Sequence, residues 1–329
     1  MGERTAVVAI GGNSLIKDTV HQTVRDQYIA AGETCRHIAG MIRGGWRVAI
    51  THGNGPQVGF ILRRSELAAH ELHEVPLDVC GADTQGAIGY ALQQNLHNDF
   101  ARLGLDKRAV TVITQTEVST DDPAFQNPTK PIGSYMDAAE AERRRTQDGW
   151  SVMEDAGRGW RRVVPSPAPM RIVEEEVIRD LLNGGVVTIA VGGGGIPVVA
   201  DPEGNLRGVA AVIDKDLASS LLASSLGADL LVISTSIEKV ALRFGTAEQE
   251  WVDRLSVSEA RQHLSEGIHF AKGSMAPKIE AATAFVEATG GHGLDHEPRE
   301  RGARAGRRDG HADRSCGRMR RHVVGAGKG

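Results

Sequence analysis

A chain of 329 residues with 40% hydrophobic content is long enough to bury a sizeable core, as one large α/β domain or two lobes. Its net charge of −4 argues against a nucleic-acid binder, and aromatics at 4% are too few for a base-stacking platform. Cys35, Cys80 and Cys316 form no CxxC and fit unpaired thiols in a reducing cytosol; no uncharged apolar run reaches membrane-spanning length, and a strand near the N-terminus leaves no room for a signal peptide.

Residues 5–10 read as a first strand, with Gly11-Gly12-Asn13 as the turn after it. Val24, Tyr28, Ala31, Cys35, Ile38 and Ile42 fall near helical spacing and predict a helix over about 23–43, stopped by Gly44-Gly45. Residues 46–50 are a second strand, running into Thr51-His52-Gly53-Asn54-Gly55-Pro56. Helices are expected over about 57–73 and 82–102, the latter with Asp83 or Thr84 as N-cap, and a third strand over 110–113. Strands alternating with helices predict a parallel sheet covered on both faces.

The pattern breaks between 117 and 169, where prolines and charges crowd together. This stretch reads as an insertion, a small subdomain or lid carrying short strands. Within it Pro128-Thr129-Lys130-Pro131 sets one lysine between two prolines, whose fixed φ stiffens the segment. Either Lys130 is held for a task, or it is an ordinary solvated lysine.

The α/β pattern resumes with a helix over 172–182 and a β-branched strand over 186–190. Four glycines follow at 192–195, removing every Cβ from the loop, so backbone N–H groups there can approach an anion closely. With the loops at Gly11 and Gly53, this makes three glycine-rich strand ends, a crevice suited to more than one negative group. Ile213-Asp214-Lys215-Asp216 opens the next helix; Asp216 reads as an N-cap, and the lysine between two aspartates reads as a fixed ammonium near a phosphate-favouring helix start. After a strand over 230–233 comes the polar turn Ser234-Thr235-Ser236. Pro277-Lys278 opens a helix, and a cation at that end calls for a compensating anion.

Amide-lined loops with Lys130, Lys215 and Lys278 describe a site for developing phosphate charge, as phosphoryl transfer requires. GxxxxGK[ST] is missing, GxGxxG does not follow the first strand, and no HExxH or clustered His/Cys spacing suggests a tightly held transition metal. His52 reads as a histidine packed at a strand end rather than a base.

The residues 9–13, Thr51-His52-Gly53-Asn54-Gly55-Pro56-Gln57-Val58-Gly59, Pro76-Leu77-Asp78, Gln85-Gly86, Pro128-Thr129-Lys130-Pro131-Ile132-Gly133, the stretch 161–167, the loop 192–197, Ile213-Asp214-Lys215-Asp216 and Gly273-Ser274-Met275 with Pro277-Lys278 together resemble carbamate kinase, in that family's order, over roughly residues 5–290. The resemblance implies the amino-acid-kinase fold: a three-layer α/β/α sandwich around a mainly parallel open sheet, with a small inserted subdomain. It implies a cytoplasmic homodimer that uses Mg²⁺ and interconverts ATP plus carbamate with ADP plus carbamoyl phosphate, with no nucleic-acid or membrane partner. By that likeness Gly11, Gly12, Asn13, Gly53, Asn54 and Gly55 cradle carbamate and the transferred phosphoryl, with Gly193, Gly194 and Gly195 between the substrates. Lys130 reaches the reacting group. Lys215 and Lys278 grip the nucleotide phosphates, Asp216 orients the lysines, and Asp214, Ser234 and Thr235 border the nucleotide. No protein side chain is expected to bind the metal directly. The domain spans 1–291, with a lid at 117–169 and a nucleotide-binding lobe at about 200–291.

After Gly290-Gly291 the chain changes character. Residues 299–329 hold ten Lys/Arg against three acids, net +7, leaving −11 for the rest, and no Leu, Ile, Phe, Trp or Tyr. The segment 292–329 reads as an atypical basic, disordered tail, and we read its origin as a frameshift near residues 292–295. Taking GC-rich codons and shifting one base from Asp295 yields a peptide ending Gly-Thr-Arg-Ile-Val, the kind of ending the resemblance implies. The competing reading is a genuine basic tail that binds nucleic acid or an acidic partner.

Overall fold

The computed structural model describes residues 4–11, 15–16, 22–155, 157–235, 239–271, 273–289 and the backbone of 318–320. In chain order, the first half runs β1 (Arg4–Ile10), α1 (Val24–Arg43), β2 (Trp46–His52), α2 (Gln57–Ala68), α3 (Leu77–Leu103), β3 (Ala109–Thr111) and β4 (Gln115–Glu117). The inserted segment holds β5 (Lys130–Met136), α4 (Ala138–Gln147), β6 (Val152–Glu154) and β7 (Trp160–Val164). Then come β8 (Arg171–Ile172), α5 (Glu175–Asn183), β9 (Val187–Ile189), β10 (Ile196–Ala200), β11 (Leu206–Gly208), α6 (Lys215–Ser225) and β12 (Leu230–Ile233). The rest is β13 (Val240–Leu242), β14 (Glu250–Val252), β15 (Arg254–Ser256), α7 (Val257–Glu266), α8 (Met275–Ala288) and β16 (Arg318–Arg320).

The central sheet has the order β12-β1-β2-β9-β3, and every neighbouring pair is parallel. Successive strand residues point to opposite faces, and the core divides accordingly. Ala6, Val8, Ile10, Val48 and Ile50 pack with Ile38 of α1 and with Leu92, Leu96 and Phe100 of α3. Val7 and Ala49 pack on the other face with Ile178 of α5, Leu222 of α6 and Phe285 of α8. This is the three-layer α/β/α sandwich expected from the sequence. A second sheet, β11-β10-β4-β8, continues from it; β10 is parallel to β4 and the outer pairs are antiparallel.

Local chemistry sets most element ends. Thr23 caps α1 in a reciprocal box with Asp26, and Gly104, in the left-handed conformation, closes α3. Several boundaries differ from expectation: α2 ends at Ala68 rather than near residue 73, and α8 opens at Met275, two residues before Pro277. The helix expected from residue 82 begins at Leu77, because Pro76 in extended conformation starts α3 with no side-chain cap to mark it. Ile172 belongs to strand β8, and α5 begins only at Glu175. Strand β10 was not expected, since Pro197 within it argues against a strand; it sits beside Thr116 of β4.

The insertion is a three-stranded antiparallel sheet, β5-β7-β6, with α4 beside it. Its base is built into the domain. Ile132 and Val164 share an apolar cluster with Val58 and Leu62 of α2, Leu77 and Cys80 of α3, and Val212. There the Val212 N–H donates to the Pro165 carbonyl at 3.0 Å. A Cβ added to Gly59 of α2 would stand 3.2 Å from the Gly133 Cα of β5, so helix and strand meet backbone to backbone.

Cys35 and Cys80 are free and buried, and burial pushes their thiols up to about 12 and about 11. Among the described residues no helix is long and apolar enough to cross a membrane. Most of the tail lies outside the described residues; β16 runs antiparallel to β15.

Candidate active site

The glycine loops gather at one edge. β1, β2, β9 and β12 are parallel, so their carboxyl ends open on the same side of the sheet, where open α/β sheets bind ligands. The Gly53 N–H donates to Ile10 O at 3.0 Å, and the Ser234 N–H to Ala9 O at 2.9 Å. A Cβ on Gly11 would lie 3.0 Å from Ser234 O, and Thr235 follows directly. Asn54 leads through Gly55 and a cis peptide bond to Pro56 into α2. Gly12 and Asn13 lie outside the described residues.

The four-glycine loop joins β9 of the central sheet to β10 of the second, through a short 3₁₀ turn at Gly192–Gly194. Each of its four glycines has a close neighbour where a side chain would stand. Added Cβ atoms would come within 2.5 Å of His52 Nε2 at Gly192, 2.4 Å of Asn54 Nδ2 at Gly193 and 2.6 Å of Ile213 O at Gly194. At Gly195, with φ +89°, a Cβ would stand 1.9 Å from Thr116 Oγ1. Val191, just before, sits at φ 53°, a region that strains a β-branched residue. The Gly194 and Gly195 amides donate within the turn, to Val191 O and Gly192 O at 3.1 Å each.

Two residues with no role assigned from the sequence lock this turn. Gln85 of α3 donates from Nε2 to Thr114 O and Gly192 O, both at 2.9 Å, and accepts the Thr114 N–H at Oε1 at 2.7 Å. Thr116 donates to Gly194 O at 2.9 Å.

Beside Gly194 the chain enters α6, where the charges gather. Asp214, not Asp216, is the N-cap: its Oδ1 accepts the Asp216 N–H at 2.9 Å. Its other oxygen, Oδ2, accepts from Lys130 Nζ at 3.0 Å. Asp216 lies in the first turn, buried, with one carboxylate oxygen on Lys215 Nζ and the other on Lys278 Nζ, the latter at 2.7 Å. The anion that a lysine at the start of α8 calls for is therefore the Asp216 carboxylate. Three ammonium groups thus converge on two carboxylates, leaving an excess positive charge beside the glycine turn. Lys130 keeps 33% of its side chain exposed against 13% for Lys215 and 20% for Lys278, so the insertion's lysine is the most accessible. A hydroxyl relay braces the helix start: Ser219 donates to Lys215 O at 2.5 Å and so accepts from Thr51 at 2.6 Å.

Burial works against the charge on Asp214, but Lys130 and the Asp216 amide outweigh it and hold its carboxyl below the usual range. Burial pulls Lys215 below the usual lysine range, opposed by Asp216 and reinforced by Lys278. His52 is buried, and desolvation lowers it to about 4, against its backbone bond to Gly53 O at 2.9 Å. It is a neutral packing residue at the strand end. A separate cleft of about 520 Å³ lies between the insertion and α2, lined by Arg63, Glu66, Tyr135, Arg144, Trp150 and Arg162 among others, and none of the three lysines lines it.

Residues 4–293 match the amino acid kinase family. The carbamate kinase of Pyrococcus furiosus is 47% identical over 289 residues, covering 87% of this chain and 91% of that protein. The carbamate kinase-like protein YqeA of Escherichia coli is 50% identical, covering 87% and 90%. Among solved structures, carbamate kinase from Giardia lamblia bound to AMP-PNP superposes with a TM-score of 0.82 at 40% identity, covering 88% of this chain and 91% of that one.

Proposed function

The chain belongs to the amino acid kinase family, and from that premise we propose that it is a carbamate kinase, transferring a phosphoryl group reversibly between ATP and carbamate to give ADP and carbamoyl phosphate. The observation that carries this reading is the convergence of Lys130, Lys215 and Lys278 on Asp214 and Asp216 beside the glycine turn. Relatives named carbamate kinase, matched over nearly their whole length, support the choice of substrates.

A carbamate oxygen attacks the γ-phosphorus, and the bond from that phosphorus to the β–γ bridging oxygen breaks, its electron pair leaving with ADP. Carbamate is already an anion, so no base need remove a proton from it. A neutral, packed His52 suits such a reaction. The difficult task is to bring two anions together, which fixed ammonium groups and amide dipoles accomplish. Lys215 and Lys278 hold the nucleotide phosphates, oriented by Asp216, while Asp214, Ser234 and Thr235 border the nucleotide. Gly11, Gly12, Asn13, Gly53, Asn54 and Gly55 cradle carbamate and the migrating phosphoryl, with Gly193, Gly194 and Gly195 between the substrates. Lys130 reaches the reacting group from the insertion at 117–169, which serves as a lid, and about 200–291 forms the nucleotide lobe.

Mg²⁺ is the expected companion of the nucleotide. The carboxylates beside the lysines, Asp214 and Asp216, are occupied by ammonium groups, so this chain fits an ion held mainly by phosphate oxygens and water. The ion would neutralise phosphate charge.

Two further readings accompany the activity. The chain is a homodimer: Val79 and Tyr90 stand exposed on one side of α3, about three turns apart with Asp83 exposed between them, as a mixed surface for a second copy. A sedimentation mass of one chain would rule that out. It works in the cytoplasm, in keeping with its free cysteines; export of the native protein in cell fractionation would contradict this.

The deciding experiment is ATP formation from ADP and carbamoyl phosphate by the purified full chain in a coupled assay. A second reading, a kinase of another small acid or a nucleotide-binding protein without turnover, is favoured by the 50% identical relative being named only carbamate kinase-like. Nucleotide binding without turnover of carbamoyl phosphate would select it.

A further inference from the structure

We propose that His263, Glu266 and His269 form a site for a divalent transition-metal ion of the zinc class, apart from the lysine crevice and independent of the phosphoryl-transfer reading. His263 and Glu266 lie at the end of α7, one turn apart. The helix stops at Gly267, whose left-handed φ of 69° turns the chain back on itself. The turn brings the His269 ring to 4.4 Å from the His263 ring, centroid to centroid. Glu266 Oε2 lies 2.5 Å from His269 Nε2 and 3.5 Å from His263 Nδ1. One ligand atom from each residue falls within 4.8 Å of the other two.

Two imidazoles and a carboxylate are the ligand types of zinc sites, whereas the Mg²⁺ that accompanies a nucleotide prefers oxygen alone. Phe270 stands 6.4 and 6.3 Å from the two rings and belongs to an apolar cluster with Val240, Leu255, Ala260 and Ile279. Such a wall strengthens ion–ligand attraction. His269 is nearly closed off at 4% exposure, while Glu266 at 35% leaves an entry path and a position for water.

Metal–ligand bonds of about 2.0–2.2 Å in a tetrahedron need ligand atoms roughly 3.3–3.5 Å apart. The His263–Glu266 pair has that spacing. The His269–Glu266 pair must open by roughly 1 Å as the ion replaces their hydrogen bond. With the ion on Nε2, the His269 proton sits on Nδ1, which is buried without a hydrogen-bond partner among the described residues. Lacking that outer partner, the site binds roughly 10–100-fold more weakly than one whose histidines are braced, and a chelator empties it. The ion ties the end of α7 to the turn leading into α8, the helix that carries Lys278.

The alternative is a clamp held by hydrogen bonds alone. Titration of the untagged full chain with Zn²⁺ by calorimetry, and with Co²⁺ by visible absorption, separates the two. The proposal expects one ion per chain, tetrahedral Co²⁺ bands, and a Tm that rises with Zn²⁺ and returns on chelation. His263→Gln and Glu266→Gln, at partly exposed positions, are expected to weaken binding by about tenfold or more and to abolish the Tm rise. No saturable binding, or binding that neither substitution weakens, would overturn it.

Discussion

Lys130 and Asp214 stand 84 residues apart in the chain, and a 3.0 Å bond joins them. Asp214 also caps α6, so one carboxylate fastens the inserted sheet to the start of the helix that bears Lys215.

Lys130→Ala is expected to lower kcat by about 10²–10³-fold, the cost of removing one preorganised donor to developing charge. The KM for ATP is expected to change far less. Stability is expected to fall modestly, because Asp214, with only 17% of its side chain exposed, loses the ammonium group that offsets its burial. Steady-state kinetics with normal kcat would remove Lys130 from the chemistry.

Asp216→Asn leaves Lys215 and Lys278 without their shared carboxylate in a buried setting. Breaking a buried charge network of this kind costs about 3–5 kcal/mol. Thermal denaturation is expected to show a lowered Tm, and kinetics a raised KM for ATP. If both stay at wild-type values, Asp216 does not orient the lysines.

Gly195→Ala drives a Cβ into Thr116 Oγ1 at a backbone angle that L residues avoid. Overpacking and strain together are expected to cost about 2–5 kcal/mol. Gly204, at φ +88° with nothing near its missing Cβ, isolates the strain; Gly204→Ala is expected to cost only about 1 kcal/mol. Urea midpoints of equal size for the two variants would contradict the steric argument.

His52 is lowered from 6.5 to about 4, so the unfolded chain takes up the proton more readily than the folded one. Its contribution to stability is complete above about pH 6.5, declines as pH falls toward 4, and amounts to about 3 kcal/mol. Urea midpoints across that window are expected to fall in the native protein and to fall less in His52→Gln. An identical acid slope in both would assign it to other groups.

The family match ends at residue 293, where the basic tail takes over. β12 is an edge of the central sheet. A chain read one base over from Asp295 is expected to have a higher Tm than this one. A coding sequence that yields no Gly-Thr-x-Ile ending in any frame would defeat the frameshift reading.

The sheet and the crevice were legible because apolar strands here end in glycine, and strand ends of a parallel sheet share one edge. The pairing of Lys215 with Asp216 was legible because they adjoin. The bond from Lys130 to Asp214 was not, since no local pattern spans an insertion. Gln85 had no role in the sequence beyond its place in the Gln85-Gly86 resemblance, yet it is 1% exposed. A signal was present: Gln85 shares a helical face with Ile88, Leu92 and Leu96, so that face marks it as a buried polar group needing partners. The start of α3 was misread because no side chain caps it.

The contact between Gly59 and Gly133 has a mechanical consequence. Gly133 is three residues from Lys130 on the same strand, so whatever sets the distance between α2 and β5 also sets the reach of that ammonium. A methyl group at position 59 would act as a shim, lifting the hinge side of the insertion by tenths of an ångström. Catalysis would then be detuned from a point that touches neither substrate.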